Sequence, residues 1–132
     1  MRHRRSWFVP ALLLAVVTAV GLPPGSAAAQ EESDGQLVVG RLRLEPCQDL
    51  EVAWCGNLRV PFDRSDPAAG TIPINFEWYP AAQAPVGTIV AVEGGPGYAS
   101  TGSRDSYIEL FGGLQRTRNL LLVDNRGTGT SG

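Results

Sequence analysis

Two glycine-rich segments hold the residues whose types and spacing bear on chemistry. Glu93-Gly94-Gly95-Pro96-Gly97 directly follows the apolar run Thr88-Ile89-Val90-Ala91-Val92. Three glycines and a proline at a strand end let the backbone turn sharply and come close to a ligand. Backbone N–H groups in such a loop can face a developing oxyanion. The second segment, Asp124-Asn125-Arg126-Gly127-Thr128-Gly129-Thr130-Ser131, directly follows the next apolar run, Leu120-Leu121-Leu122-Val123. What is missing bounds the chemistry as firmly. The single histidine, His3, lies in a segment that reads as a cleaved export signal, so residues 30–132 cannot hold a Ser-His-Asp triad. They also lack the commonest metal ligand, and two cysteines are too few for a four-cysteine zinc site. No metal and no cofactor is expected.

The elements that must position these loops follow from periodicity. Continuous apolar runs at 88–92 and 120–123 predict strands covered on both faces, as in parallel sheets. Between them Ser106-Tyr107-Ile108-Glu109 has the form of a capping box, and Tyr107, Ile108, Phe111 and Leu114 recur at helical spacing. Gly112-Gly113 should keep that helix short. Strand, glycine loop, helix and strand make a βαβ crossover. Ahead of it, Ile72, Ile74, Phe76 and Trp78 alternate with Pro73, Asn75, Glu77 and Tyr79, the period-two pattern of a strand with one buried face. Asn57–Phe62 reads as a shorter strand, and 63–70 as a turn.

The amino terminus predicts export. Residues 1–7 are basic, Phe8–Leu22 is apolar, Pro23-Pro24-Gly25 breaks any helix, and Ala27-Ala28-Ala29 supplies small residues for a cut before Gln30. The apolar run is shorter than the roughly 20 residues that span a bilayer, so no stable membrane anchor is expected. Residues 1–29 are therefore read as signal, 30–44 as a flexible leader and 45–132 as the folded portion. Without the signal, eight arginines face thirteen acidic residues, a formal net charge of −5. No basic stripe remains for nucleic acid. Outside the cytoplasm Cys47 and Cys55 are expected to pair; a redox role is disfavoured, because there is no C-x-x-C.

Taken together, these features resemble the prolyl aminopeptidase and tripeptidyl aminopeptidase branch of the α/β-hydrolases. That family carries an H-G-G-P-G loop after one central strand and a D-x-R-G-x-G-x-S loop after the next, matched here by Glu93–Gly97 and Asp124–Ser131. Cys47, Cys55 and Leu58-Arg59-Val60-Pro61 are similar to the cysteine pair and L-x-V-P strand of its secreted members. The resemblance spans residues 45–132. It implies the N-terminal part of a doubly wound α/β sheet, with initial antiparallel strands and then one βαβ unit. It also implies a Ser-Asp-His triad that removes residues from a free peptide N-terminus.

By match to the motif, Gly95 is the first candidate oxyanion donor and Gly94 the second, while Pro96 and Gly97 shape the loop. Glu93, where the family often has histidine, either helps hold a substrate amine or bonds neighbouring N–H groups. Asp124, Arg126, Gly127 and Gly129 fix the second loop, Asp124 and Arg126 through hydrogen bonds and an ion pair. The family's nucleophile sits on a G-x-S-x-G elbow beyond the second motif, and Ser131, seven residues past Asp124, does not fit one. The chain is accordingly expected to be truncated and inactive alone, its peptide substrate belonging to the full-length protein. Oligomeric state is left open.

Two other readings stand beside this one. Gly95-Pro96-Gly97-Tyr98-Ala99-Ser100 with Asp124 at the next strand end has the outline of a dinucleotide site. Against it, Ser100 stands where the fingerprint has Gly or Ala, and Pro96 removes an N–H from the phosphate-facing turn. The last reading is a secreted domain without catalysis.

Overall fold

The computed structural model describes residues 31–33 and 35–132. Residues 1–29, read as an export signal, the expected cut before Gln30, and His3 lie outside the described residues. Those residues form one seven-stranded mixed sheet of β1 (Glu31–Ser33), β2 (Gln36–Val39), β3 (Leu42–Pro46), β4 (Trp54–Pro61), β5 (Thr71–Tyr79), β6 (Thr88–Ala91) and β7 (Asn119–Val123). The spatial order is β1-β2-β3-β4-β5-β7-β6. All neighbours are antiparallel except β6 and β7, which run parallel with Ile89 opposite Leu120 and Ala91 opposite Leu122. Between those two strands in sequence lies α1 (Arg104–Phe111). The segment 30–44, read as a flexible leader, contributes β1, β2 and most of β3.

This architecture corrects the expected fold class. A doubly wound α/β-hydrolase sheet needs helices on both faces of a mostly parallel sheet. Here five of the six strand pairings are antiparallel, and α1 is the one α-helix among the described residues. Gly112-Gly113 ends that helix after two turns, so it covers one face only. On the other side of β6, Val90 and Val92 remain 58% and 48% exposed. The capping box is not formed either. The helix begins at Arg104, its N-cap Ser103 makes no side-chain cap bond, and Ser106 lies inside it.

Both faces of the sheet carry apolar side chains. Tyr107, Ile108 and Phe111 of α1 pack on Tyr79, Ala91, Leu120 and Leu122, beside Cys47 and Ala53. On the opposite face Leu37, Leu44, Phe76 and Trp78 cluster with Trp54, Leu121 and Val123, and Leu44, Phe76, Trp78, Leu121 and Val123 line an open apolar groove of about 280 Å³. The indole Nε1 of Trp78 is buried there without a hydrogen-bond partner among the described residues.

Strand β5 departs from its sequence pattern in an informative way. Phe76 and Trp78 are buried as the alternation requires, but so are Glu77 and Tyr79 on the other face. A carboxylate is tolerated in such a place only when paired and hydrogen-bonded. Arg104, the first residue of α1, supplies both: Nη2 donates to Glu77 Oε1 at 2.6 Å and Nε to Oε2 at 3.1 Å. The Tyr79 hydroxyl donates to Oε2 at 2.7 Å. The bond to Glu77 raises the Arg104 pKa still further, and burial followed by the same carboxylate pushes the Tyr79 hydroxyl well above its usual range.

Cys47 and Cys55 form a disulfide with Cα atoms 4.9 Å apart, and Cys47 N–H donates to Ala53 C=O inside the closed loop at 2.9 Å. By loop entropy a ring of this size stabilises the fold by roughly 2–3 kcal/mol. Reduction should therefore lower the unfolding free energy by about that amount. Denaturant curves with and without reductant measure it, and overlapping curves would rule the contribution out.

Candidate functional site

The two glycine-rich loops leave the C-terminal ends of the only parallel strand pair among the described residues, so β6 and β7 deliver them side by side. Their junction is built from buried hydroxyl and carboxylate groups. Ser100, 0% exposed, accepts from Glu93 N–H at 2.8 Å and donates to Val123 C=O at 2.7 Å. Asp124, 1% exposed, accepts at Oδ1 from Thr101 N–H at 3.0 Å and at Oδ2 from the Thr101 hydroxyl at 2.9 Å. Asn125 Nδ2 reaches Glu93 C=O at 3.2 Å.

The second loop is a framework. Thr128 N–H and hydroxyl both donate to Asn125 C=O. Ser131 Oγ donates to Asp124 C=O at 3.0 Å and accepts from Asn75 N–H of β5 at 2.8 Å. Gly129 has φ 54°, and a Cβ there would lie 2.0 Å from Asp124 Oδ2, so only glycine fits. Arg126 does not pair with Asp124, which corrects the expected ion pair. Its guanidinium donates instead to Phe62 C=O at 2.8 Å and Pro61 C=O at 2.9 Å, anchoring the loop to the end of β4. Arg126 is committed to two backbone carbonyls and Asp124 to the amide and hydroxyl of Thr101, so the two side chains have no need of each other.

The first loop differs in kind. Gly97 has a positive φ, 80°, whereas Gly94 and Gly95 have none, and the Gly95–Pro96 peptide is cis. A Cβ at Gly94 would meet nothing within 4 Å, and one at Gly95 only Gly97 N at 3.9 Å. Neither backbone torsion nor packing asks for glycine at these two positions. Both residues are at least partly exposed, and their N–H groups have no acceptor among the described residues. Two unengaged N–H groups in open space, on a loop tied down just before them, can donate to an anion or to a carbonyl oxygen that gains charge.

Glu93 has its backbone held at both ends. Its carboxylate lies near Tyr107, whose hydroxyl pKa is raised by burial and then by Glu93. Tyr98, next to Gly97, is 69% exposed. A cavity of about 400 Å³ with a mixed polar and apolar lining lies on the α1 side, bounded by Cys47, Cys55, Asn75, Glu77, Thr101 and Arg104, among others. Neither this cavity nor the apolar groove is lined by Gly94 or Gly95.

Of the residues singled out from sequence, Glu93–Gly97 and Asp124–Ser131 thus come together at one sheet end. Asp124 has both carboxylate oxygens bonded to Thr101. Sequence reasoning missed the bonds of Ser100 and Thr101, which join the loops, and of Asn75, which ties the second loop to β5. The available signal was a pair of small hydroxyl residues between the glycine loop and the helix, since such residues are buried only when their hydrogen bonds are met. Among the described residues no cluster of His, Cys, Asp or Glu could hold a metal ion, and no helix is long and apolar enough to cross a membrane. A scan against protein-family models finds no match, and a search of curated proteins finds none either.

Proposed function

We propose that this chain carries the oxyanion-side loops of a secreted serine peptidase that releases residues from free peptide N-termini. The observation that carries the reading is the pair of unengaged N–H groups of Gly94 and Gly95, held at the end of a parallel strand pair. Gly95 is the principal donor to the oxyanion and Gly94 the second. Glu93, the first residue of that loop, supplies a charge that attracts a substrate ammonium. Asp124, Arg126, Gly127 and Gly129 hold the neighbouring loop rather than take part in bond breaking. The nucleophile, acid and histidine are not found in residues 30–132, where histidine is absent; in this reading they are supplied by sequence beyond them. The residues taken alone should hydrolyse nothing.

Export supports the same reading. The basic, apolar and small-residue segments of 1–29 are in order for a signal peptide, and a disulfide suits an oxidising compartment. The partner is a peptide substrate, with neither nucleic acid nor a membrane anchor involved.

One preparation tests the proposal. The protein is expressed from the reading frame continued past codon 132 and collected from the medium. Its amino terminus should be Gln30 or the cyclised form, and a fluorophosphonate should label one serine stoichiometrically. Residues 30–132 expressed alone should not be labelled. An intact Met1 on exported protein would refute the cleavage. Equal labelling of the short chain would refute the division of the site.

A further inference from the structure

We propose that Ser100 is a positioning residue that holds the Glu93–Gly97 loop in register with the end of β7. Its catalytic consequence rests on the peptidase reading above, whereas its effect on the loop does not. Ser100 is completely buried. A hydroxyl has one proton and two lone pairs, and here the proton goes to Val123 C=O and a lone pair to Glu93 N–H, at 2.7 and 2.8 Å. The two bonds therefore do not compete, and one side chain from a third segment ties together the ends of two parallel strands.

The loop beyond Glu93 gives this bond its reach. Residues 95–97 form a turn, but Gly94 and Gly95 give their N–H groups to no acceptor among the described residues; the next bond between loop segments is accepted by Ala99 C=O. The amide of Glu93 is thus the last fixed donor before the two candidate oxyanion donors. Its carbonyl has only the longer, exposed bond to Asn125. Without the hydroxyl, Glu93 N–H loses its acceptor and the direction of the Gly94 and Gly95 N–H groups is no longer set. A displacement near 1 Å at such a site lowers turnover by about a hundredfold.

Three variants of the secreted, full-frame protein test the assignment: Ser100→Ala, Ser100→Cys and Ser100→Thr. The first removes the hydroxyl; the second nearly keeps the volume but offers only a weak donor and acceptor; the third keeps the hydroxyl. In the first two, hydrogen exchange at the Glu93 amide should quicken by about tenfold, the scale of one lost hydrogen bond. Their kcat should fall by about ten- to a hundredfold with KM nearly unchanged, the pattern of an interaction needed in the transition state. Ser100→Thr should recover both values. If Ser100→Thr does not fold, the Ala and Cys variants decide alone. Wild-type exchange and kcat in Ser100→Ala, or in Ser100→Cys, would overturn the proposal. If exchange quickens as expected but the parent protein neither hydrolyses peptides nor takes the serine label, the peptidase reading fails and the positioning role stands.

Discussion

Replacing Gly95 by proline in the full-frame protein is expected to lower turnover by ~10²–10³, the usual loss when one oxyanion donor is removed. Gly95 has no positive φ, a Cβ built on it would meet nothing closer than Gly97 N at 3.9 Å, and it gives its N–H to no acceptor among the described residues. Removing that N–H therefore breaks no bond of the resting fold, so the loss should fall on kcat and leave stability little changed. Proline also constrains φ, so circular dichroism and a thermal melt must show a native fold before the kinetics are read. A backbone ester at the same position removes the N–H without constraining φ. A folded variant that loses less than about tenfold in turnover would take the oxyanion role away from Gly95.

The second large effect is on stability. Arg104→Ala should destabilise the fold by about 3 kcal/mol, the low end of the range for breaking a buried ion pair. Two features set the size. The Glu77 side chain is only 8% exposed, so its charge is left nearly dry, whereas Arg104 is 34% exposed and part of its attraction is already screened. The Tyr79 hydroxyl still donates to Glu77 after the substitution and limits the damage. Because Arg104 begins α1 and Glu77 lies in β5, the loss should also loosen the helix from the sheet. Urea unfolding of Arg104→Ala, Glu77→Gln and the double variant measures it. The double variant should cost clearly less than the two single losses together, because each single change strands the other partner. Strict additivity would mean that the pair is not coupled.

How far the fold was legible depended on whether a pattern was local. The alternation at 72–78 located β5, and the apolar runs located β6 and β7, because side-chain periodicity is a local property. The same apolar runs misled about cover. Leu120 and Leu122 are fully buried beneath α1, but Val90 and Val92 on the other side are exposed. Composition records that a face is apolar, not what covers it. The polar stretch before Leu37 read as flexible, although Glu31–Ser33 pairs with Gln36–Val39 through backbone bonds that carry little side-chain signature. Glu77 was assigned to a solvent face because its partner is 27 residues away and no spacing rule connects them.

The candidate site was legible as loops and illegible as a network. Glycine runs at strand ends announce themselves, and the loops do meet because β6 and β7 are parallel neighbours. The groups that fix their geometry are one hydroxyl each from Ser100, Thr101 and Ser131, with amides from Asn75 and Asn125. Small polar residues of this kind usually lie in solvated turns. Their burial becomes visible only once the sheet brings β5, β6 and β7 together.

The central claim is that these loops serve hydrolysis at a free peptide N-terminus. Its most direct measurement is the rate at which the secreted, full-frame protein releases p-nitroaniline from a short peptidyl p-nitroanilide, compared with the same peptide acetylated at its N-terminus. The account predicts turnover of the free peptide and a rate at least about tenfold lower for the acetylated one, the loss expected when a charged group loses its partner. Release from neither substrate would contradict the peptidase reading itself, and equal release from both would contradict its restriction to free N-termini.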